Sequence, residues 1–303
     1  TVHMRNFYRN VNGGEYLVGI IDLEQMENFS AVIWDVFPTL AHPYEKLYSP
    51  RTSFSQIKTD HKLYFLAGKL IYTGEVSASN CVNGGLLNNG NANTCGEIVA
   101  HDAAVEWQNQ FDLKIIQAAA NYGIPPMVVK GIIAQESQFW PEADIEYEYG
   151  LGYLSEKGVD VLLTWDASSF LSVCLPSFGS EDCAAGYDSL SDDQQAYLQG
   201  IVLRAVGTDN EIDLITRLVK ANSIQMGQLI ENITGQAPGY VSTYEDMWDF
   251  TIANYHVGAG CMAEGIEAIA DVGETITFED FCQSNTDCPT ACLFVERVKN
   301  YSD

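Results

Sequence analysis

A glutamate stands where the spacing of its neighbours marks an apolar position. In Pro126–Phe139 (PMVVKGIIAQESQF), Val129, Ile132, Ile133 and Glu136 recur at the i, i+3, i+4, i+7 interval of one helix face. The carboxyl group is thereby set in line with an apolar stripe. A carboxylate in such a place loses hydration, which penalises its charged form and raises its pKa. A glutamic acid that keeps its proton near neutral pH can protonate a departing sugar oxygen, as a glycosidase needs. Periodicity also allows a plainer reading, in which Glu136 ends the helix and emerges into water. The neighbouring residues weigh against it.

Those neighbours read Ala134-Gln135-Glu136-Ser137-Gln138-Phe139-Trp140-Pro141-Glu142-Ala143, with Gly150-Leu151 following. Much later come Asn254-Tyr255-His256-Val257-Gly258-Ala259-Gly260 and Phe294-Val295-Glu296-Arg297-Val298. In this order the segments resemble the lytic transglycosylase and goose-type lysozyme superfamily. Its pattern is an apolar helix ending in Glu-Ser, then an aromatic, a proline and an alanine, and a Gly-Leu turn. A Tyr-Asn-x-Gly segment and a closing aromatic-Val-x-Arg-Val helix follow. Each motif alone is weak; three in order are moderately specific. The resemblance covers roughly residues 104–303.

The resemblance implies that Glu136 is the single catalytic acid and base. It implies that Ser137 orients Glu136 or touches substrate, and that Tyr255 lies across a cleft with its hydroxyl near Glu136 or the scissile bond. The substrate would be peptidoglycan, cut at the N-acetylmuramic acid to N-acetylglucosamine β-1,4 bond. The sugar's own 6-hydroxyl attacks and leaves a 1,6-anhydro product, with no second carboxylate, no metal and no cofactor. Gly150, Leu151, Tyr153 and His256 would line the substrate. Tyr147 and Tyr149, beside the Gly-Leu turn, could stack on sugar rings. Two positions depart from the family: Tyr153 stands where Gln is usual in Gly-Leu-x-Gln, and His256 stands where Asn follows the tyrosine. Glu136 and Tyr255 both remain, which favours an active enzyme. The alternative is a catalytically inactive lysozyme-like structural or glycan-binding component of an extracellular assembly. Asp144, Glu146 and Glu148 could position a water and so turn transglycosylation into hydrolysis, although an exposed acidic loop explains them as well. The five histidines have no ligand spacing, no HExxH occurs, and no phosphate loop or Ser or Cys nucleophile motif is present.

The elements that must hold these residues divide into two rhythms. Glu15–Leu23, Ala31–Phe37 and Lys62–Thr73 are rich in β-branched and aromatic residues and read as strands. An Asn/Gly-rich loop, Ser77–Gly96, follows. Helical spacing then covers Asp102–Tyr122, Ser191–Val206, Asp209–Ile233, Thr243–Tyr255, Met262–Asp271 and Pro289–Tyr301, with a weak point at Ala221–Ser223. The expected fold is therefore α+β. An all-α lysozyme-like domain over 101–303 is preceded by a smaller β-containing module over 1–100, of unknown role, which could be a spacer or bind a protein partner.

Composition sets the outer limits. Fifteen Lys plus Arg against 41 Asp plus Glu give a net charge of −26, which argues against nucleic acid as a partner. No apolar run reaches the roughly 18 residues of a membrane span. Eight cysteines without a CxxC pair favour disulfides over a zinc ribbon, and hence an extracytoplasmic location (secreted, surface or periplasmic). Cys81–Cys95 and Cys174–Cys183 pair by proximity. Among the last four, Cys261–Cys292 and Cys282–Cys288 are the expected bonds.

Overall fold

The computed structural model describes residues 5–11, 14–20, 34, 46–49, 53–141, 150–270, 275–284 and 288–302. Its helices are α1 (Phe54–Ile57), α2 (Tyr64–Tyr72), α3 (Thr94–Asn109), α4 (Asp112–Tyr122), α5 (Pro126–Ser137), α6 (Glu156–Trp165) and α7 (Ala167–Cys183). They continue with α8 (Asp192–Leu203), α9 (Glu211–Thr234), α10 (Pro238–Val241), α11 (Tyr244–Val257), α12 (Ala259–Ile269), α13 (Phe278–Gln283) and α14 (Pro289–Asn300). No single helix among the described residues is long and apolar enough to cross a membrane.

Short polar residues set the starts. The side chains of Asn93, Ser155, Ser191, Thr243 and Thr277 each accept a backbone N–H in the first turn of α3, α6, α8, α11 and α13. Pro126 opens α5, where its missing N–H costs nothing. Gly123 at φ 75° ends α4, and Gly235 at φ 70° ends α9.

Two helices organise the core. In α5 every residue from Pro126 to Ala134 is buried, so this stretch is enclosed all round and not merely along one stripe. It packs against α4, α9 and α14. The closest approach is to α14: a Cβ on Gly131 would lie 2.8 Å from Val298 Cγ1 and 3.1 Å from Val298 O. The long helix α9 packs against α4, α6, α11 and α12. It runs unbroken through Ala221–Ser223, where a weak point is expected, and there Asn222 Nδ2 donates to Leu218 O and Ser223 Oγ to Lys220 O. Both polar side chains turn back onto their own helix.

A buried ion pair fixes α5 to the segments before it. Lys130, 1% exposed, donates to Asp112 Oδ1 at 2.6 Å, Asn109 Oδ1 at 2.7 Å and Ile57 O at 2.8 Å. Burial pushes the Asp112 carboxyl up and the Lys130 ammonium down, to about 8, while each partner pulls the other back.

The expected α+β organisation is overturned, because the described residues are mostly helical. Lys62–Thr73, read as a strand, forms α2. Its buried residues Leu63, Leu66, Ala67 and Leu70 fall at i, i+3, i+4, i+7, a helix stripe hidden among aromatic residues. The only ladder among the described residues is one antiparallel hairpin, Arg5–Val11 with Gly14–Ile20, whose second arm lies largely within Glu15–Leu23. Two strands do not make a sheet-based module. Ala31–Phe37 lies outside the described residues except for Trp34. The expected boundary at 100/101 falls inside α3, and Leu47, Tyr48, Ile57, Leu63 and Leu66 share one core with the helices that follow. Asp102–Tyr122 divides into the end of α3 and all of α4, while α6, α7, α10 and α13 have no counterpart among the expected helices.

Four disulfides form. Cys81–Cys95 and Cys174–Cys183 are as expected. The other two differ: Cys261 pairs with Cys288 and Cys282 with Cys292, at Cα separations of 6.0 and 5.9 Å. The reason lies in α14. Cys288 caps its start and Cys292 lies one turn on, so the two thiols meet different neighbours, Cys261 in α12 and Cys282 in α13.

Candidate functional site

Glu136 sits in the last turn of α5 and is half-buried. The chain leaves the helix abruptly: Gln138 at φ 47° and Phe139 at φ 64° are two successive non-glycine residues in the left-handed region. Each such residue costs on the order of 1 kcal/mol, so tertiary contacts must hold the exit. Those contacts are specific. Gln138 Oε1 accepts Phe65 N at 2.9 Å and Leu66 N at 3.3 Å, capping the start of α2. Phe139 is buried, its carbonyl accepts Trp107 Nε1 at 2.9 Å, and Trp107 stacks on Trp140 at 5.1 Å. Ser137 is buried, and its hydroxyl donates to Ile133 O at 3.1 Å in its own helix.

The Gly150–Tyr153 segment forms a turn with Gly150 at φ 72° and Tyr153 at φ 46°. Gly150 and Leu151 are buried and Tyr153 is half-buried. Glu211, the first residue of α9 and 3% exposed, holds this turn by accepting Leu151 N at 2.5 Å, and its other oxygen accepts Gly207 N at 3.0 Å from the loop before α9. Burial pushes the Glu211 carboxyl up, against the pull of the two amides.

Tyr255 reaches the same turn from α11. Its half-buried phenol donates to Gly152 O at 2.7 Å. The preceding Asn254 is 1% exposed and donates through Nδ2 to Asn222 Oδ1 and Gln225 Oε1, both at 2.8 Å, which fixes the α11 backbone against α9. His256 lies flat on Phe294, with ring centres 4.4 Å apart and planes 2° apart, and the residue as a whole is exposed. Burial, with the nearby Arg297 charge, holds its pKa below the usual 6.5.

Segments far apart in the chain thus meet. The Gly150–Tyr153 turn touches Tyr255, His256 touches α14, and α14 packs on the helix that carries Glu136. Tyr147, Tyr149, Asp144, Glu146 and Glu148 lie outside the described residues. Trp248 is core, packed edge-on to Trp34 at 4.9 Å. Glu211 and Gln138 escaped the sequence reading. Glu211 looks like an ordinary acid at a helix start, and Gln138 differs from its surroundings only in following Glu-Ser. Set against protein-family models, curated proteins and solved structures, the chain matches none of them.

Proposed function

We propose that this protein cleaves the glycan strands of peptidoglycan between N-acetylmuramic acid and N-acetylglucosamine, with Glu136 as its one acid and base. The observation that carries the reading is the junction of Tyr255 with the Gly150–Tyr153 turn, a 2.7 Å hydrogen bond between two segments that the family resemblance assigns to one site. The half-buried carboxyl of Glu136, at the end of a helix buried from Pro126 to Ala134, supports it further. In the reaction Glu136 gives its proton to the glycosidic oxygen as the C1–O4 bond breaks. It then takes the proton of the sugar's 6-hydroxyl as that oxygen bonds to C1, which returns Glu136 to its starting state and leaves a 1,6-anhydro end. Work of this kind is done outside the cytoplasm, and four disulfides are consistent with an oxidising compartment.

Incubation with purified peptidoglycan, followed by mass spectrometry of the soluble products, tests the reading. Anhydro-ended muropeptides are expected, and Glu136→Gln should lower their release by about 100-fold or more. Reducing ends would instead indicate hydrolysis. A second reading, a non-catalytic glycan-binding or structural role, is favoured by Tyr153 at the usual glutamine position and by Ser137, whose hydroxyl is tied to Ile133. Sedimentation of the protein with intact peptidoglycan and no released product would establish it.

A further inference from the structure

We propose that Glu211 is a positioning residue that sets the place of the Tyr255 phenol through the Gly150–Tyr153 turn. The proposal rests on the reading of the site given above. The carboxylate of Glu211 occupies the space a side chain would take at position 150: a Cβ on Gly150 would lie 2.0 Å from Glu211 Oε1. Its two oxygens divide two backbone donors between them, Leu151 N and Gly207 N. One turn further along α9, Ile215 supports the other end of the turn, where a Cβ on Gly152 would lie 2.9 Å from Ile215 Cγ1 and 2.8 Å from the Tyr255 hydroxyl. Helix α9 therefore grips the turn at both ends, and the Gly152 carbonyl between them receives the phenol.

The choice of a carboxylate is informative. Burying one in a nearly closed place is costly unless its lone pairs are used, and a helix start is served as well by an exposed aspartate or serine. A glutamine in its place could accept from only one of the two amides, because its NH2 would oppose the other N–H. Only the Leu151 amide belongs to the turn, so with the NH2 set against it the turn loses its tether to position 211 and shifts by tenths of an ångström, carrying the Gly152 carbonyl and the phenol with it. Misplacement of a group at a reacting centre on that scale costs rate more than binding.

The test places 3-fluorotyrosine at position 255 and records the 19F resonance of the folded protein, native and with Glu211→Gln or Gly150→Ala. The second substitution displaces the carboxylate while leaving it in the chain, and it decides the matter if the first does not fold. Both substitutions are expected to move or broaden the resonance. On peptidoglycan, Glu211→Gln is expected to lower kcat about 10-fold with KM changed less than about 3-fold. In a Tyr255→Phe background it should lower kcat little further, since the two residues act through one contact. An unmoved resonance in the folded variants overturns the proposal, as do fully multiplicative effects on kcat. If the native protein releases nothing from peptidoglycan, the cleavage reading fails, and the 19F comparison still decides whether Glu211 sets the phenol.

Discussion

Asp249→Asn should stabilise this protein at neutral pH and do little at pH 4. Asp249 lies in α11, 5% exposed, accepting Tyr48 Oη and Lys299 Nζ, each at 2.6 Å. Burial pushes its pKa from 3.8 up to about 6, outweighing the pull of Lys299 and Tyr48. A carboxyl whose folded pKa is raised binds its proton more tightly in the folded state. Its contribution to stability is then fully present below 3.8 and is lost as pH rises through about 6. At about 1.36 kcal/mol per pH unit, that interval amounts to roughly 3 kcal/mol of destabilisation by the ionised carboxylate. Asparagine removes the charge and keeps one contact, its oxygen accepting from Lys299, while the other reverses: its NH2 donates to the Tyr48 hydroxyl, which donates to Asp249 in the native protein. The attraction to Lys299, whose side chain is 41% exposed, is already contained in that net shift. A gain of up to about 3 kcal/mol at pH 7.5 follows, shrinking to under about 1 kcal/mol at pH 4. Urea denaturation of both proteins at the two pH values measures it. A variant less stable than the native protein at pH 7.5, or a difference that ignores pH, would refute the account of burial.

Other substitutions address the framework of the site. Gly131→Ala puts a Cβ against the backbone of α14 and should cost about 1–3 kcal/mol in urea denaturation; unchanged stability would mean that the helices can part freely. Replacing Cys81 and Cys95 together by alanine opens a crosslink spanning 14 residues and should cost about 3 kcal/mol by the same measurement, whereas a loss under about 1 kcal/mol would indicate a loop already ordered by α2 and α3. Gln138→Ala removes the cap from Phe65 and Leu66 and should cost about 1 kcal/mol, read as faster hydrogen exchange confined to Tyr64–Tyr72. Equal acceleration in α9 would show that Gln138 supports the whole core instead.

Much of the helical part was legible in the sequence because its signals are local. Caps at Ser191 and Thr243, prolines at 126 and 289, and the glycine at 123 mark helix ends through backbone chemistry that needs no distant partner. α2 was missed because its aromatic residues resemble a strand and its stripe of four buried residues is short. α7 escaped because Pro176 and Gly179 interrupt its pattern. The sequence alone determined which residues form most of the helices after 101, the two short-range disulfides, and a carboxyl group at the end of an apolar helix. Only the tertiary structure decided that α2 shares the core of the later helices, that Cys261 meets Cys288, and that Glu211 and Tyr255 converge on one turn. These are meetings between segments 27 to 103 residues apart. Such contacts are selected by packing and by the need to satisfy buried polar groups, and no local spacing records them.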